Sequence, residues 1–287
     1  MVLLKRQLLS KTTIISERSS LTASTQSSPK VLNFKFDLFL TSNPKGNCSS
    51  SYAIASVSAV SDRICMQTGE NVNLGAQVYL SCANGTKGCE GGAVASVLDY
   101  GKKEGFVTEK CFPYTGDKNT SCPHEALASC ARYTVADYCV SSTAEGIKRE
   151  ILKNGPVIAI LPIYRDFLIY KEGIYHVIEG TSRFQGGHAL KIVGWGKSPQ
   201  GVDYWIAENT WGESWGMKGL VHIAVGQKNL YIDEFVMSAN PRVAKQDTDA
   251  SAGTTGTGSA STRKYNKFSF LLSKLIYFYQ NTSKLKT

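Results

Sequence analysis

The strongest periodic pattern in the chain lies between residues 51 and 67 and predicts a helix with one buried face. Its apolar residues recur every three or four positions, as on one face of a helix, and Gly69 marks a stop. They are Ala53, Ile54, Val57, Val60 and Ile64. Ser51 falls in the first turn, so we expect the positive end of the helix dipole to point at its side chain.

Further along the chain the pattern changes from helices to strands. Residues 93–103, closed by Gly105, indicate a second helix, and a third is predicted from a capping box at 142–145 to the Asn-Gly-Pro stop at 154–156. Short apolar runs between Gly- and Pro-bearing turns then predict strands at 157–161, 188–195, 202–207 and 220–225. Helices first and strands second favour an α+β fold of two lobes.

Length and charge restrict what the chain can be. Its 287 residues are 42% hydrophobic, which is enough for one large domain or for two lobes that share a cleft. The formal charge of +9 belongs to the two ends, because residues 31–244 carry equal numbers of basic and acidic side chains. This body therefore offers no charge argument for a nucleic-acid partner.

Eight cysteines, an even number, lie between Cys48 and Cys139. In a chain of this size such a set is typical of disulfides formed in an oxidising compartment. A zinc site is the alternative interpretation, but no CxxC pair occurs and His124 and His222 have no ligand spacing around them. We therefore expect no metal and no cofactor. Glycosylation sequons at 84–86 and 119–121 are compatible with a secreted chain.

Three sequence blocks carry the candidate chemistry. They are GNCSSSYAIA at 46–55, GGHALKIVGWG around His188 and ENTWGESWG around Asn209. In this order and at this separation they resemble the papain family of cysteine peptidases, and the resemblance covers roughly residues 35–242. Within the family, residues 59–69, 150–157 and 164–177 resemble cathepsin B, and the GCEGG run at 88–92 with residues 96–105 resembles cathepsin Z. The family resemblance implies a papain-like peptidase domain at 35–244. A helical lobe (about 48–125) would carry the nucleophile helix, a β-barrel-like lobe (about 126–244) the histidine and asparagine, and a cleft would lie between them.

The resemblance gives each residue of this predicted site a role. Ser51 stands where the family has its nucleophilic cysteine, His188 is the base, Asn209 orients the imidazole, and Trp211 shields that contact. A helix N-terminus and an adjacent imidazolium can hold a thiol as a thiolate, whereas an aliphatic hydroxyl is far too weak an acid for this. Lys45 stands at the position of the oxyanion glutamine, and it replaces an amide donor by a longer, charged one.

Four departures from the family pattern cluster at this site and predict lost catalysis. They are Lys45, Ser49, Ser51 and Tyr52. The first hypothesis is therefore a pseudopeptidase that binds a peptide or protein in its cleft. The second is a working endopeptidase in which Ser51 is the nucleophile, with general-base help from His188 and Asn209. The third is that the sequence before Cys48 comes from a wrong exon and that the true protein is an ordinary peptidase.

The resemblance also predicts the surface of the cleft and the disulfide pairs. Gly91 and Gly92 resemble the glycine loop whose bare backbone pairs with an extended peptide. Phe235 is expected at the floor of the main specificity pocket, where it would favour an apolar side chain; a core aromatic is the alternative. The implied bridges leave Cys65 and Cys139 outside. They are Cys48–Cys89, Cys82–Cys122 and Cys111–Cys130.

The two ends of the chain fall outside the resemblance. Residues 1–34 are basic and rich in Ser and Thr, without the apolar core of a signal peptide, so a transit-like peptide and a wrong gene model both stay open. Residues 245–262 indicate a flexible linker, and residues 263–287 a basic and apolar tail. The apolar run at 268–279 is too short to span a bilayer and is interpreted as disordered, with contact to an anionic membrane surface as the alternative.

The family resemblance also implies where the protein works. Relatives of this kind are lysosomal, vacuolar or extracellular, and they are usually made with a signal peptide and an inhibitory propeptide, neither of which we recognise in this sequence. We expect a monomer whose partner is a peptide or protein ligand in the cleft.

Overall fold

A computed structural model describes residues 48–117, 120–178 and 182–242, together with the backbone of residues 30–31. The chain divides into two compact units, Met1–Ala244 and Lys245–Thr287. The second unit lies outside the described residues, and so do the predicted linker, the predicted tail and nearly all of the segment 1–34. None of the described helices is long and apolar enough to cross a membrane.

The described helices precede or alternate with the strands in chain order. The helices are α1 (Ser51–Thr68), α2 (Gln77–Ser81), α3 (Val94–Lys103), α4 (His124–Ala128), α5 (Ala144–Asn154) and α6 (Arg165–Leu168), with a 3₁₀ turn at Gly88–Glu90. The strands are β1 (Lys30–Val31), β2 (Val135–Ser141), β3 (Val157–Tyr164), β4 (Ile174–Tyr175), β5 (Phe184–Lys197), β6 (Asp203–Glu208), β7 (Leu220–Ala224) and β8 (Val236–Pro241). The α+β class is confirmed.

Helix α1 is buried on more than the one face that its apolar pattern predicts. Twelve of its 18 residues are buried, and several of these are small or polar. The hydroxyls of Ser56 and Ser61 donate to the helix's own carbonyls, at 2.7 Å and 2.8 Å, so their burial leaves no donor unpaired. The predicted buried face is confirmed, because its five apolar residues are all buried, and small serines and alanines allow close packing on the other faces as well. The helix ends at Gly69, whose φ of +78° suits glycine.

The sheet follows the order β2-β8-β3-β5-β6-β7-β4, with β1 added beside β5. Its described pairs are antiparallel except for β4 and β7. Strands β2 and β4 form its two ends, and no described pairing joins them, so the β lobe is an open sheet and not a closed barrel. The long central strand β5 pairs with β3 on one side and β6 on the other, and it packs against α1.

Three disulfides tie the loops of the helical part together, and they are the three pairs that the sequence resemblance implies. They are Cys48–Cys89, Cys82–Cys122 and Cys111–Cys130. The first joins the segment before α1 to the 3₁₀ turn, so it fixes where α1 begins. Cross-links of this kind stabilise a fold mainly by restricting its unfolded chain. Cys65 and Cys139 lie outside the bridges.

A fully buried arginine connects the C-terminal half of α1 to neighbouring segments. Arg63 donates from its three guanidinium nitrogens to the carbonyls of Gly155, Pro156 and Ala239 and to Glu150 Oε1, over 2.7–3.0 Å. Burial lowers the pKa of Arg63 and Glu150 opposes this shift. A buried guanidinium with partners for all its nitrogens holds elements together, but its desolvation offsets much of the gain.

We predict that Arg63→Met lowers the free energy of unfolding by about 3–5 kcal/mol, because it leaves one carboxylate and three carbonyl groups without their buried hydrogen-bond donor. Urea unfolding measures the change. Lys148→Met is the control, because its partner Glu145 has a side chain that is 77% exposed, and such pairs contribute about 0.5 kcal/mol or less. A loss at Arg63 no larger than at Lys148 would show that the guanidinium does not hold the fold.

Candidate active site

Ser51 lies at the start of α1, where its side chain meets strand β5. The backbone N–H of Ala189 donates to Ser51 Oγ over 3.3 Å. The turn that leads into the helix is held by the bond from Ser49 N to the Cys89 carbonyl and by the Ser50 hydroxyl, 2.6 Å from the Tyr114 hydroxyl. No acidic side chain lies in the first turn, and no side chain caps it. The positive end of the helix therefore faces the Ser51 hydroxyl without a competing anion.

His188 and Asn209 form a buried hydrogen-bonded pair. Their side chains meet at 2.8 Å between His188 Nε2 and Asn209 Oδ1, and that oxygen also accepts from the Thr210 backbone N–H at 2.8 Å. Because a backbone N–H can only donate, the amide must present its oxygen to both neighbours. Nε2 of His188 therefore carries the proton, and Nδ1 is left as the basic nitrogen of the neutral ring. Asn209 Nδ2 is buried without a partner among the described residues.

Aromatic rings remove His188 from water. The Trp211 ring lies 4.8 Å from the imidazole, centre to centre, and the fully buried Phe167 lies 6.4 Å from it and 5.6 Å from Trp211. Burial lowers the pKa of His188 to about 4, although its bond to Asn209 opposes the shift. The imidazole is therefore neutral at neutral pH.

The predicted cleft loop lies beside the start of α1. Gly91 has a φ of +107°, and Gly92 is exposed and pairs with Thr86. A Cβ added to Gly92 would lie 2.6 Å from the ring of the buried Tyr52, so any other residue there would displace that ring. The Tyr52 hydroxyl donates to the carbonyl of Gly88 at 3.1 Å. Tyr52 thus supports the loop from the helix side.

Phe235 is half-buried and does not belong to the described hydrophobic clusters. Its ring lies 6.3 Å from that of Tyr231, an exposed residue with a φ of +52°. Within the described ranges, no hydrogen bond or ring contact joins Phe235 to Ser51 or His188. Its role in a specificity pocket stays a prediction.

The structure joins three predicted site residues by direct contacts with His188 and places the fourth, at the start of α1, against the backbone N–H of Ala189. They are Ser51, His188, Asn209 and Trp211. Lys45 lies outside the described residues, so the predicted oxyanion position is untested. Sequence reasoning missed Phe167 and the Ala189 N–H, since no local pattern indicates a ring contact or a backbone donor from another element. No group of three or more acidic, histidine or cysteine side chains among the described residues could hold a metal ion.

Comparisons with known proteins agree on one family. The profile of the papain family cysteine protease matches residues 39–240. Cathepsin B-like protease 1 of Arabidopsis thaliana is 35% identical over 218 residues, which are 68% of this chain and 56% of that protein. Cathepsin B of Dictyostelium discoideum is 34% identical, over 63% and 64%. Tubulointerstitial nephritis antigen of Bos taurus is 34% identical, over 70% and 50%. The chain thus spans between half and two thirds of the length of these relatives.

Solved structures give the same fold. ProCathepsin B S9 from Trypanosoma congolense has a TM-score of 0.63 and 30% identity, over 69% of this chain and 70% of that one. The bromelain protease from Ananas comosus, in complex with the E64 inhibitor, has a TM-score of 0.58 over 67% and 89%. At 23% identity the latter similarity concerns the fold alone.

We predict that the free energy of unfolding contains a histidine contribution that is lost as the pH falls from 6.5 to 4. The folded His188 has a pKa of about 4, against 6.5 for an ordinary histidine. Between these values the unfolded chain binds a proton that the folded chain does not, so acid favours unfolding, by up to about 3 kcal/mol.

Urea unfolding of the natural chain and of His188→Gln across this interval measures the contribution. The two chains share their carboxylates, so the difference between their profiles isolates the histidine. Parallel profiles would mean that water reaches the imidazole in the folded state.

Proposed function

This chain belongs to the papain family of cysteine proteases and has cathepsin B-like relatives, and on that premise we propose that it is a pseudopeptidase that binds a peptide or protein ligand without cleaving it. One observation carries the proposal: the side chain at the start of α1, which accepts from the backbone N–H of Ala189, the residue after His188, ends in a hydroxyl and not in a thiol. On this proposal Ser51 occupies the position of the family's nucleophile.

The chemistry of the site argues against catalysis by that hydroxyl. A thiolate and an imidazolium stabilise each other, so a buried cysteine–histidine pair can carry charge that either group alone could not. Ser51 supplies no anion, because a helix dipole contributes only about 0.3–1 kcal/mol and cannot ionise an aliphatic hydroxyl. His188 is then left with the cost of burial, which the bond to Asn209 offsets only in part, and its pKa is about 4. Such a base is poorly matched to a neutral operating pH.

The predicted oxyanion position supports the same conclusion. Lys45 offers a flexible ammonium where the family presents a glutamine amide. The loss of one oxyanion donor costs about 2.7–4 kcal/mol of transition-state stabilisation in a serine hydrolase. A hydroxyl nucleophile, a weak base and an altered oxyanion donor would each lower the rate, and their effects combine in one site.

Ligand binding requires a surface that can pair with a peptide but no reactive group, and the cleft loop provides such a surface. The exposed backbone at Gly92 and the positive φ at Gly91 suit a short strand pairing with an extended peptide. The half-buried Phe235 would then favour an apolar side chain of the ligand. We propose a papain-like domain at 35–244 that acts as a monomer. The three disulfides support an oxidising location, lysosomal, vacuolar or extracellular.

A second function, an active peptidase that uses Ser51, is favoured by one observation. The pair of His188 and Asn209 is intact, and its tautomer leaves Nδ1 free to accept a proton. In serine hydrolases such a neutral imidazole is the general base. The two proposals differ in whether the natural chain has any turnover that depends on Ser51.

We predict that the natural chain has no peptidase activity and that Ser51→Cys hydrolyses fluorogenic peptides at least about 100-fold above background, which is the lower range of acid–base catalysis. The cysteine restores the anion that the imidazolium needs. Adding His188→Gln to Ser51→Cys is the control and should abolish this gain. If Ser51→Cys alone stays inert, Lys45→Gln is added to restore the oxyanion amide. Turnover by the natural chain that Ser51→Ala removes would refute the pseudopeptidase.

A further inference from the structure

One buried ammonium contacts the three elements that carry the candidate site. Lys191 lies on β5, three residues beyond His188. Its Nζ lies 2.6 Å from Ser58 Oγ and 2.7 Å from Asp62 Oδ2, both on α1, the helix that begins with Ser51. It also lies 3.0 Å from Glu208 Oε2, on the last residue of β6, directly before Asn209.

The cluster is closed to water and its ammonium is matched by its partners. The side chains of Lys191, Asp62 and Glu208 are 3%, 13% and 7% exposed. The ammonium donates hydrogen bonds to Ser58 Oγ and Asp62 Oδ2, and Glu208 Oε2 faces it as an ion-pair partner. Burial alone would lower the pKa of Lys191, but Glu208 and Asp62 outweigh it and raise that pKa. Lys191 is therefore charged, and these contacts hold its ammonium in place.

The positions of these partners on α1 and β6 restrict how the two elements can move relative to β5. Ser58 and Asp62 are four residues apart, so they lie on one face of α1, about two and three turns, or roughly 10 Å and 16 Å, along the axis from Ser51. Glu208 is the register partner of Lys191 across β5 and β6. A helix held at two points of one face can neither rotate nor slide against β5 without breaking these bonds.

Stability alone gives a weak reason for such a cluster. Replacing a buried ion group by packed apolar residues is often neutral or stabilising, because the charges lose their hydration. The fold also has a second buried ion pair on α1, between Arg63 and Glu150, which engages no residue of β5 or β6. The Lys191 cluster differs from that pair because it joins α1, β5 and β6, the elements next to the candidate site residues.

We propose that Lys191 is a positioning residue that holds Ser51 at the distance and angle from the His188–Asn209 pair that this site requires, acting through Ser58, Asp62 and Glu208. The inference rests on the proposed function only in taking these three residues as the site. It concerns where they are held and is independent of whether the hydroxyl reacts.

The pKa of His188, measured by nuclear magnetic resonance titration of the four histidines, tests the proposal in the natural chain. The resonance of His188 is assigned by its loss in His188→Gln. Two variants weaken the cluster: Ser58→Ala removes one hydrogen bond and no charge, and Asp62→Asn removes a carboxylate. Their matched controls are Ser56→Ala, a buried serine of α1 bonded only to its own helix, and Glu150→Gln, a carboxylate of the other ion pair.

We expect both cluster variants to raise the His188 pKa by about one unit toward 6.5, since a loosened α1 admits water to the imidazole. In a rigid site, removing the Asp62 anion would instead lower that pKa, so the two explanations differ in sign. Ser56→Ala and Glu150→Gln should leave the value near 4, and Asp62→Glu should restore it. An unchanged or lowered His188 pKa in folded Ser58→Ala and Asp62→Asn would overturn the proposal. Peptide turnover does not enter this measurement, so activity in the natural chain would refute the pseudopeptidase and leave this result standing.

Discussion

The burial of α1 is the constraint on which the rest of the structure depends. A helix with two thirds of its residues out of water must find a partner for every polar group that it carries inside. Ser56 and Ser61 use the helix's own carbonyls, Arg63 uses carbonyls of two other segments, and Asp62 uses Lys191. The contacts of Arg63 and Asp62 also fix the helix against its neighbours. The position of Ser51 at the helix start is therefore a consequence of contacts made several turns below it.

The same burial decides what chemistry the site can perform. Desolvation penalises any single charge, and it is offset only when a second charge of opposite sign is brought beside it. Lys191 has such partners and stays charged, whereas His188 has a neutral amide as its nearest partner and does not. A pocket of this kind suits a nucleophile that ionises together with the imidazole. A hydroxyl gives the pocket no charge to stabilise, and this is the physical basis for proposing that the protein binds and does not cut.

Long periodic elements of the fold were predictable from the sequence, and short or irregular ones were not. Helices α1, α3 and α5 and strands β3, β5, β6 and β7 correspond to predicted segments, because each has a clear apolar period or run. Strand β2 was missed because Val135 is its only buried residue, so no alternation is visible. Strand β8 was missed because the polar residues Ser238 and Asn240 interrupt its apolar run, although Ser238 is buried in the strand. Helices α2, α4 and α6 have four or five residues, too few to establish a period.

The candidate site was likewise predictable from the sequence only in part. Motif resemblance could name Ser51, His188 and Asn209, but the tautomer of the imidazole follows only from the second bond to Asn209 Oδ1, and its low pKa only from the rings around it. Lys191 had a visible signal in the sequence, a charged residue inside the apolar run of β5, which a buried strand tolerates only when the charge is paired.

The contacts of Lys191 are made with side chains away from residue 51. They therefore do not depend on whether the side chain at position 51 ends in an oxygen or a sulfur atom. If Ser51 occupies the nucleophile position, exchange of that single atom removes the acid that the site needs and leaves the framework that orients it unchanged. The protein can then lose catalysis and keep the shape of its cleft.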